Sequence, residues 1–144
     1  MPIEELQIKK SDETYSNKKQ IYILDDDESV RRSLKLLLTS YGFAVETFSS
    51  ADDFFCDVRN RAPGCLILDI HMTGLNGWDT QQRLIRERYV LPVIVITADK
   101  DDRFKDQALK AGAVGFLLKP FEDHYLLHMV SQVFNQTEAR IFQL

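Results

Sequence analysis

From Gln20 onward the chain alternates short runs of β-branched and apolar residues with longer stretches whose apolar positions recur at helical spacing. The short runs fall at 21–24, 44–48, 65–68, 93–96 and 115–118. The first, third and fourth are apolar throughout, the pattern of central parallel strands covered on both faces. The second carries Glu46 and Thr47, which suits an edge position. Between the runs, Val30, Leu34, Leu37, Leu38 and Tyr41 form one helical stripe, and Gly42 is placed to end it. Ser49, with Asp52 three residues on, reads as the start of a second helix. Ala108 and Ala111 run into a break at Gly112, and Leu126, Leu127, Val130, Val133 and Phe134 stripe the last helix.

Repeated strand–helix units of roughly twenty residues predict an α/β fold: an open, doubly wound five-stranded parallel sheet with helices on both faces. Right-handed crossovers leave few topologies, and the common strand order for five strands is 2-1-3-4-5. Such a sheet binds its ligands beyond the carboxyl ends of the strands, at the switch point between strands 1 and 3. Residues 1–19 are polar and mixed in charge, and the pattern predicts a flexible leader there, with a single domain over 20–140 and no effector domain in this chain.

Composition narrows the function. A net charge of -4 argues against a nucleic-acid surface on this chain. Cys56 and Cys65 make neither a disulfide framework nor a close metal-binding pair, and Cys65 opens an apolar run, as a buried free thiol would. The N-terminus lacks a basic stretch followed by an apolar core, and no apolar stretch approaches a membrane span. A cytoplasmic location with no membrane contact is the expectation.

The chemistry sits just past the strands. Asp25, Asp26 and Asp27 follow the first, Asp69 the third, Thr97 the fourth, and Lys119 and Pro120 the fifth. Asp27 suits a helix N-cap. The other acids would raise one another's pKa unless a counter-charge is present, and a hard divalent cation such as Mg2+ answers that need with oxygen ligands. The acids lack the spacing and glycine of a calcium-binding helix–loop–helix site. A carboxylate can attack phosphorus, and phosphoryl transfer needs charge stabilised on three equatorial oxygens. Mg2+, Lys119 and Thr97 would supply one partner each.

These segments resemble response regulator receiver domains of two-component signal transduction. The resemblance lies in residues 23–31 with the triple acid, in Leu68, Asp69, Ile70, His71 and Met72 followed by Gly77, in residues 94–98, and in residues 111–121 ending in Lys119, Pro120 and Phe121. It implies a flavodoxin-like fold over about residues 20–136, phosphorylated on Asp69 by a sensor histidine kinase or phosphotransfer protein. By the same resemblance Asp25, Asp26, Asp69 and the backbone carbonyl of His71 hold Mg2+. Thr97 is the switch hydroxyl, Phe116 the switch aromatic, Lys119 the phosphoryl-binding lysine, and the 119–120 bond a cis peptide. His71 and Asp99 occupy positions that tune phosphoryl lifetime. Partners, including a second copy, would meet the face of the fourth helix, fifth strand and fifth helix. Thr73 stands where the family carries proline, which implies a more mobile loop.

The alternatives are an aspartyl-phosphate hydrolase, which would place a second acid where His71 stands, or an unphosphorylated scaffold. A signalling phosphoacceptor, not an enzyme, is the favoured reading. His124 and His128 share a helical face without the glutamate of a metalloprotease motif and are expected to be solvated. Phe54, Phe55, Trp78 and Phe104 are expected to pack.

Overall fold

The computed structural model describes residues 19–57, 63–71 and 76–142, with side chains described through residue 135. The proposed leader (apart from Lys19) and the loop holding Thr73 therefore lie outside the described residues. The elements alternate strictly: β1 (Gln20–Leu24), α1 (Glu28–Ser40), β2 (Ala44–Phe48), α2 (Ala51–Cys56), β3 (Cys65–Asp69), α3 (Gly77–Arg86), β4 (Val93–Thr97), α4 (Asp102–Lys110), β5 (Gly115–Leu118) and α5 (Asp123–Phe142). All strand pairs are parallel, and the order is β2-β1-β3-β4-β5. The strand order read from the sequence is the one observed, with β2 at an edge.

Side-chain alternation along the strands divides the core into two layers. Tyr22, Leu24, Leu66, Leu68, Val93 and Val95 face α2, α3 and α4 through Phe54, Leu84 and Ala108. Ile21, Ile23, Cys65, Ile67, Ile94 and Ile96 face α1 and α5 through Leu34, Leu38, Leu126, Val130 and Val133. Each fully buried Leu or Ile contributes about 1.5–3 kcal/mol, so both layers are needed to hold the central strands. Phe54 is fully buried, while Phe55, Trp78 and Phe104 pack at the margin of the first layer.

Helix ends follow the local chemistry. Asp27 caps α1, accepting from the Ser29 and Val30 N–H groups, as expected. α2 begins one residue later than anticipated. Ser50, not Ser49, is its N-cap, accepting from Asp53 N–H at 3.1 Å, because only that register aims the hydroxyl at the third helical amide. Tyr41 leaves the apolar stripe. It is the C-cap of α1, outside the helical conformation, and is 65% exposed.

α1, α3 and α4 all end in the same paired hydrogen-bond closure. At α1, Gly42 donates to Thr39 O and Phe43 to Leu38 O; at α4, Gly112 donates to Leu109 O and Ala113 to Ala108 O. At α3 the residue in the left-handed conformation is Arg88, at φ 60°, with Arg88 donating to Ile85 O and Tyr89 to Leu84 O.

Candidate functional site

Parallel strands bring their carboxyl ends to one rim, and the register decides which residues meet there. Asp69 is the last residue of β3 and pairs with Ile96, while Thr97 at the end of β4 pairs with Leu118. Asp25 and Lys119 are the first residues beyond β1 and β5. The rim thus gathers four of the residues expected there, and Asp26 joins them from the turn.

Asp25 is fully buried. Its Oδ1 accepts the Asp27 N–H at 2.9 Å and its Oδ2 accepts Lys119 Nζ at 2.8 Å. Asp69, 6% exposed, accepts the His71 N–H on Oδ1 at 3.1 Å and Lys119 Nζ on Oδ2 at 3.3 Å. Asp26 is exposed to solvent, and one oxygen from each of Asp25, Asp26 and Asp69 lies within 4.8 Å of the others. Lys119 reaches this cluster from beyond β4. Strands spaced about 4.8 Å apart put β5 roughly 10 Å from β3, within the span of a lysine stem.

The electrostatics are those of a carboxylate pocket under-supplied with positive charge. Burial, then the neighbouring Asp25, pushes the Asp69 carboxyl above its ordinary range, against the opposing pull of Lys119 and the His71 amide. Burial would lower the Lys119 ammonium, but its bonds and charge contacts with Asp25 and Asp69 outweigh that and raise it. Lys119 is therefore charged at neutral pH. One ammonium serves two buried carboxylates with a third beside them. Three hard oxygen donors so placed fit a divalent cation, and among the described residues they are the one acidic, histidine or cysteine cluster with that geometry.

Thr97 is fully buried, and its hydroxyl is engaged within its own turn, where it accepts the Asp99 N–H at 3.1 Å. The Lys119 N–H donates to Thr97 O at 2.7 Å, tying the ends of β4 and β5 together. The 119–120 peptide is cis, as expected. Phe116 is partly buried against the first core layer. His71 enters the pocket through its backbone N–H, while its ring meets Asp99, with Nε2 at 3.3 Å from Oδ2, and lies perpendicular to the ring of Phe104. Phe104 in turn stacks on Trp78. His124 and His128 are exposed, as expected, with His124 beside Glu122.

Two residues contribute more than their sequence positions announced. A Cβ on Gly77 would lie 2.5 Å from Ile70 Cα and 2.9 Å from Asp69 O, so only glycine lets α3 start against the end of β3. Its N–H donates to Ile70 O at 2.8 Å, which fixes that approach. Arg31, on α1, donates from Nη1 to the carbonyl of Asp25 at 2.7 Å. Neither contact has a periodic signal in the sequence.

The structure is a doubly wound α/β domain with an acidic pocket at its switch point, at the rim where Thr97 of β4 and Lys119 after β5 also lie. Comparison with known proteins makes the class specific: residues 21–131 match the model of the response regulator receiver domain, and the chain belongs to that family. It is 46% identical over 107 residues to the response regulator protein TodT of Pseudomonas putida, covering 74% of this chain and 47% of that protein. It is 37% identical over 123 residues to the transcriptional regulatory protein FixJ of Bradyrhizobium diazoefficiens, covering 85% of this chain and 60% of FixJ. Among solved structures, the response regulator StyR superposes with a TM-score of 0.76 at 40% identity, over 88% of this chain and 66% of that one. A CheY-like receiver domain protein from Methanospirillum hungatei shares the fold at a TM-score of 0.79 and 23% identity, over 86% of this chain and 99% of that one. The chain spans about half the length of the TodT proteins it matches. No helix among the described residues is long and apolar enough to cross a membrane.

Proposed function

We propose that Asp69 accepts a phosphoryl group from the phosphohistidine of a sensor histidine kinase or phosphotransfer protein, and that the domain relays this to an output partner. The observation that carries the reading is the double engagement of Lys119, which binds Asp25 and Asp69 together at the mouth of a pocket lined by three carboxylates. An oxygen of Asp69 attacks phosphorus, the P–N bond to the donor imidazole breaks, and its electron pair returns to the ring. Lys119 then shares one phosphoryl oxygen, and the Thr97 hydroxyl donates to another after exchanging its present turn geometry for that contact. The His71 amide holds Asp69 in orientation throughout.

Asp25, Asp26, Asp69 and the carbonyl of His71 would hold Mg2+. When bound, the ion neutralises charge on the carboxylates and on the incoming phosphoryl group. Movement of Thr97 would leave space for Phe116 to turn inward and reshape the α4–β5–α5 face, where a partner or a second copy would dock. The domain works as a signalling acceptor that assists its own modification, in the cytoplasm, with DNA contact left to other parts of the pathway. His71 and Asp99 would set how long the acyl phosphate survives.

The test is acetyl phosphate or beryllofluoride with Mg2+, read by intact-mass spectrometry and amide NMR. Wild type gains a phosphoryl mass with acetyl phosphate and shifts resonances in β4, α4 and β5; Asp69→Asn and the EDTA-treated protein do neither. A phosphoryl adduct that persists in Asp69→Asn would remove the reading. Sustained phosphate release from a phosphorylated metabolite would favour the hydrolase instead.

A further inference from the structure

Arg31 stands in the first turn of α1, where the helix dipole disfavours a cation. A basic residue at such a place calls for a local compensation, and the structure supplies one. Nη1 turns back and donates to the Asp25 carbonyl at 2.7 Å, a bond strengthened by the charge on its donor. Arg32 makes the contrast. It points into solvent and pairs with Glu28 on its own helix at 2.9 Å.

The contact matters because of what else holds Asp25. Its N–H donates to Phe48 O, Oδ1 accepts from the Asp27 N–H, and Oδ2 accepts from Lys119. With Arg31 on the carbonyl, each polar group of this buried residue has a partner. The peptide that leads from Asp25 into Asp26 carries that carbonyl, so its orientation sets where the exposed Asp26 side chain begins. Arg31 is a charged side-chain donor to that carbonyl, and losing it removes a restraint on the orientation of the peptide.

We infer that Arg31 is a positioning residue for the cation site. From α1 it clamps the peptide between Asp25 and Asp26, and so preorganises these acids with Asp69. This rests on the reading that the three carboxylates hold a divalent cation. The clamp and simple charge predict opposite signs. Removing a positive charge beside a cation site strengthens binding by Coulomb's law, whereas removing a clamp weakens it.

The experiment titrates the full chain with Mg2+ alone by calorimetry, in wild type, Arg31→Met, Arg31→Lys and Arg32→Met, and follows amide exchange at Asp27 in EDTA. Arg31→Met keeps the aliphatic stem. It is expected to bind Mg2+ about tenfold more weakly, the low end for losing a residue that orients metal ligands. The Asp27 amide, bonded to Asp25, exchanges faster in that variant. Arg32→Met removes the same charge without a clamp and binds no more weakly than wild type. Arg31→Lys keeps the charge but not the fork and falls between; it carries the test if Arg31→Met does not melt cooperatively. Arg31→Met binding Mg2+ as tightly as wild type, or an unchanged Asp27 exchange rate, overturns the inference. Wild type binding no Mg2+ would instead overturn the cation-site reading, and the exchange rate would still decide the clamp.

Discussion

Neutralising the proposed phosphoacceptor should make the metal-free protein more stable. In Asp69→Asn the carboxylate is lost but the oxygen accepting the His71 N–H is kept. Asp69 and Asp25 oxygens lie within 4.8 Å, a repulsion of at least about 3.5 kcal/mol at an effective dielectric of about 20. Lys119 at 3.3 Å returns about 5 kcal/mol on the same scale. The attraction exceeds this lower bound on the repulsion by about 1.5 kcal/mol, so the cost of burying an ionised group decides the sign. Burial and Asp25 together leave the Asp69 carboxyl raised, so the ionised form is the disfavoured one in the folded state. We expect a Tm higher by a few degrees, roughly what about 1 kcal/mol produces in a domain of this size, for Asp69→Asn in EDTA at pH 7.

The sign with pH follows from linkage. A carboxyl raised by folding binds its proton first in the folded state, so its penalty is present above the folded pKa and disappears as pH falls toward the ordinary 3.8. The advantage of the Asn variant should therefore narrow on acidification. Adding Mg2+ should stabilise wild type and not the variant. Thermal melts over pH 4–8 (roughly the range of linkage), with and without Mg2+, give the answer. An Asn variant less stable than wild type at pH 7 in EDTA would refute the account of the pocket as under-neutralised.

Gly77→Ala should cost about 1–3 kcal/mol, because the added Cβ meets backbone of Ile70 and Asp69 that cannot swing aside; chemical denaturation measures it, and a neutral result would mean α3 shifts freely. Arg88→Gly should add about 0.5–1 kcal/mol by relieving the left-handed conformation that ends α3, a change visible as a higher denaturation midpoint. A thiol reagent should label Cys56 in the native protein and reach Cys65 only on unfolding. Burial pushes the Cys65 thiol up to about 12 and leaves it without reactive thiolate. Two thiols reacting at equal rates under native conditions would contradict that packing.

The strands and the rim were legible because both depend on short-range pattern. Uninterrupted apolar runs mark the central strands, and a parallel sheet sends whatever follows each strand to the same side, so Asp25, Asp69, Thr97 and Lys119 could be grouped before any geometry was known. Gly42 and Gly112 announced the ends of α1 and α4 for the same reason, since glycine is the usual residue at positive φ. Arg88 performs that task at α3 with no such signal, and Ser50 competes with an adjacent serine whose register differs by one. Contacts set by side-chain rotamers, between loops or from a helix back to the turn before it, left no trace in the sequence. The meeting of His71 with Asp99 and the bond from Arg31 to the Asp25 carbonyl are of this kind.

Lys119 and Asp25 touch although 94 residues separate them along the chain. A chain emerging from the ribosome holds Asp25, Asp26 and Asp69 long before it holds the one ammonium that unites the buried pair, and loop closure over that distance comes late and slowly. Assembly of the pocket is thereby a late event: a chain arrested before its fifth strand docks carries Asp25 and Asp69 without the lysine that joins them.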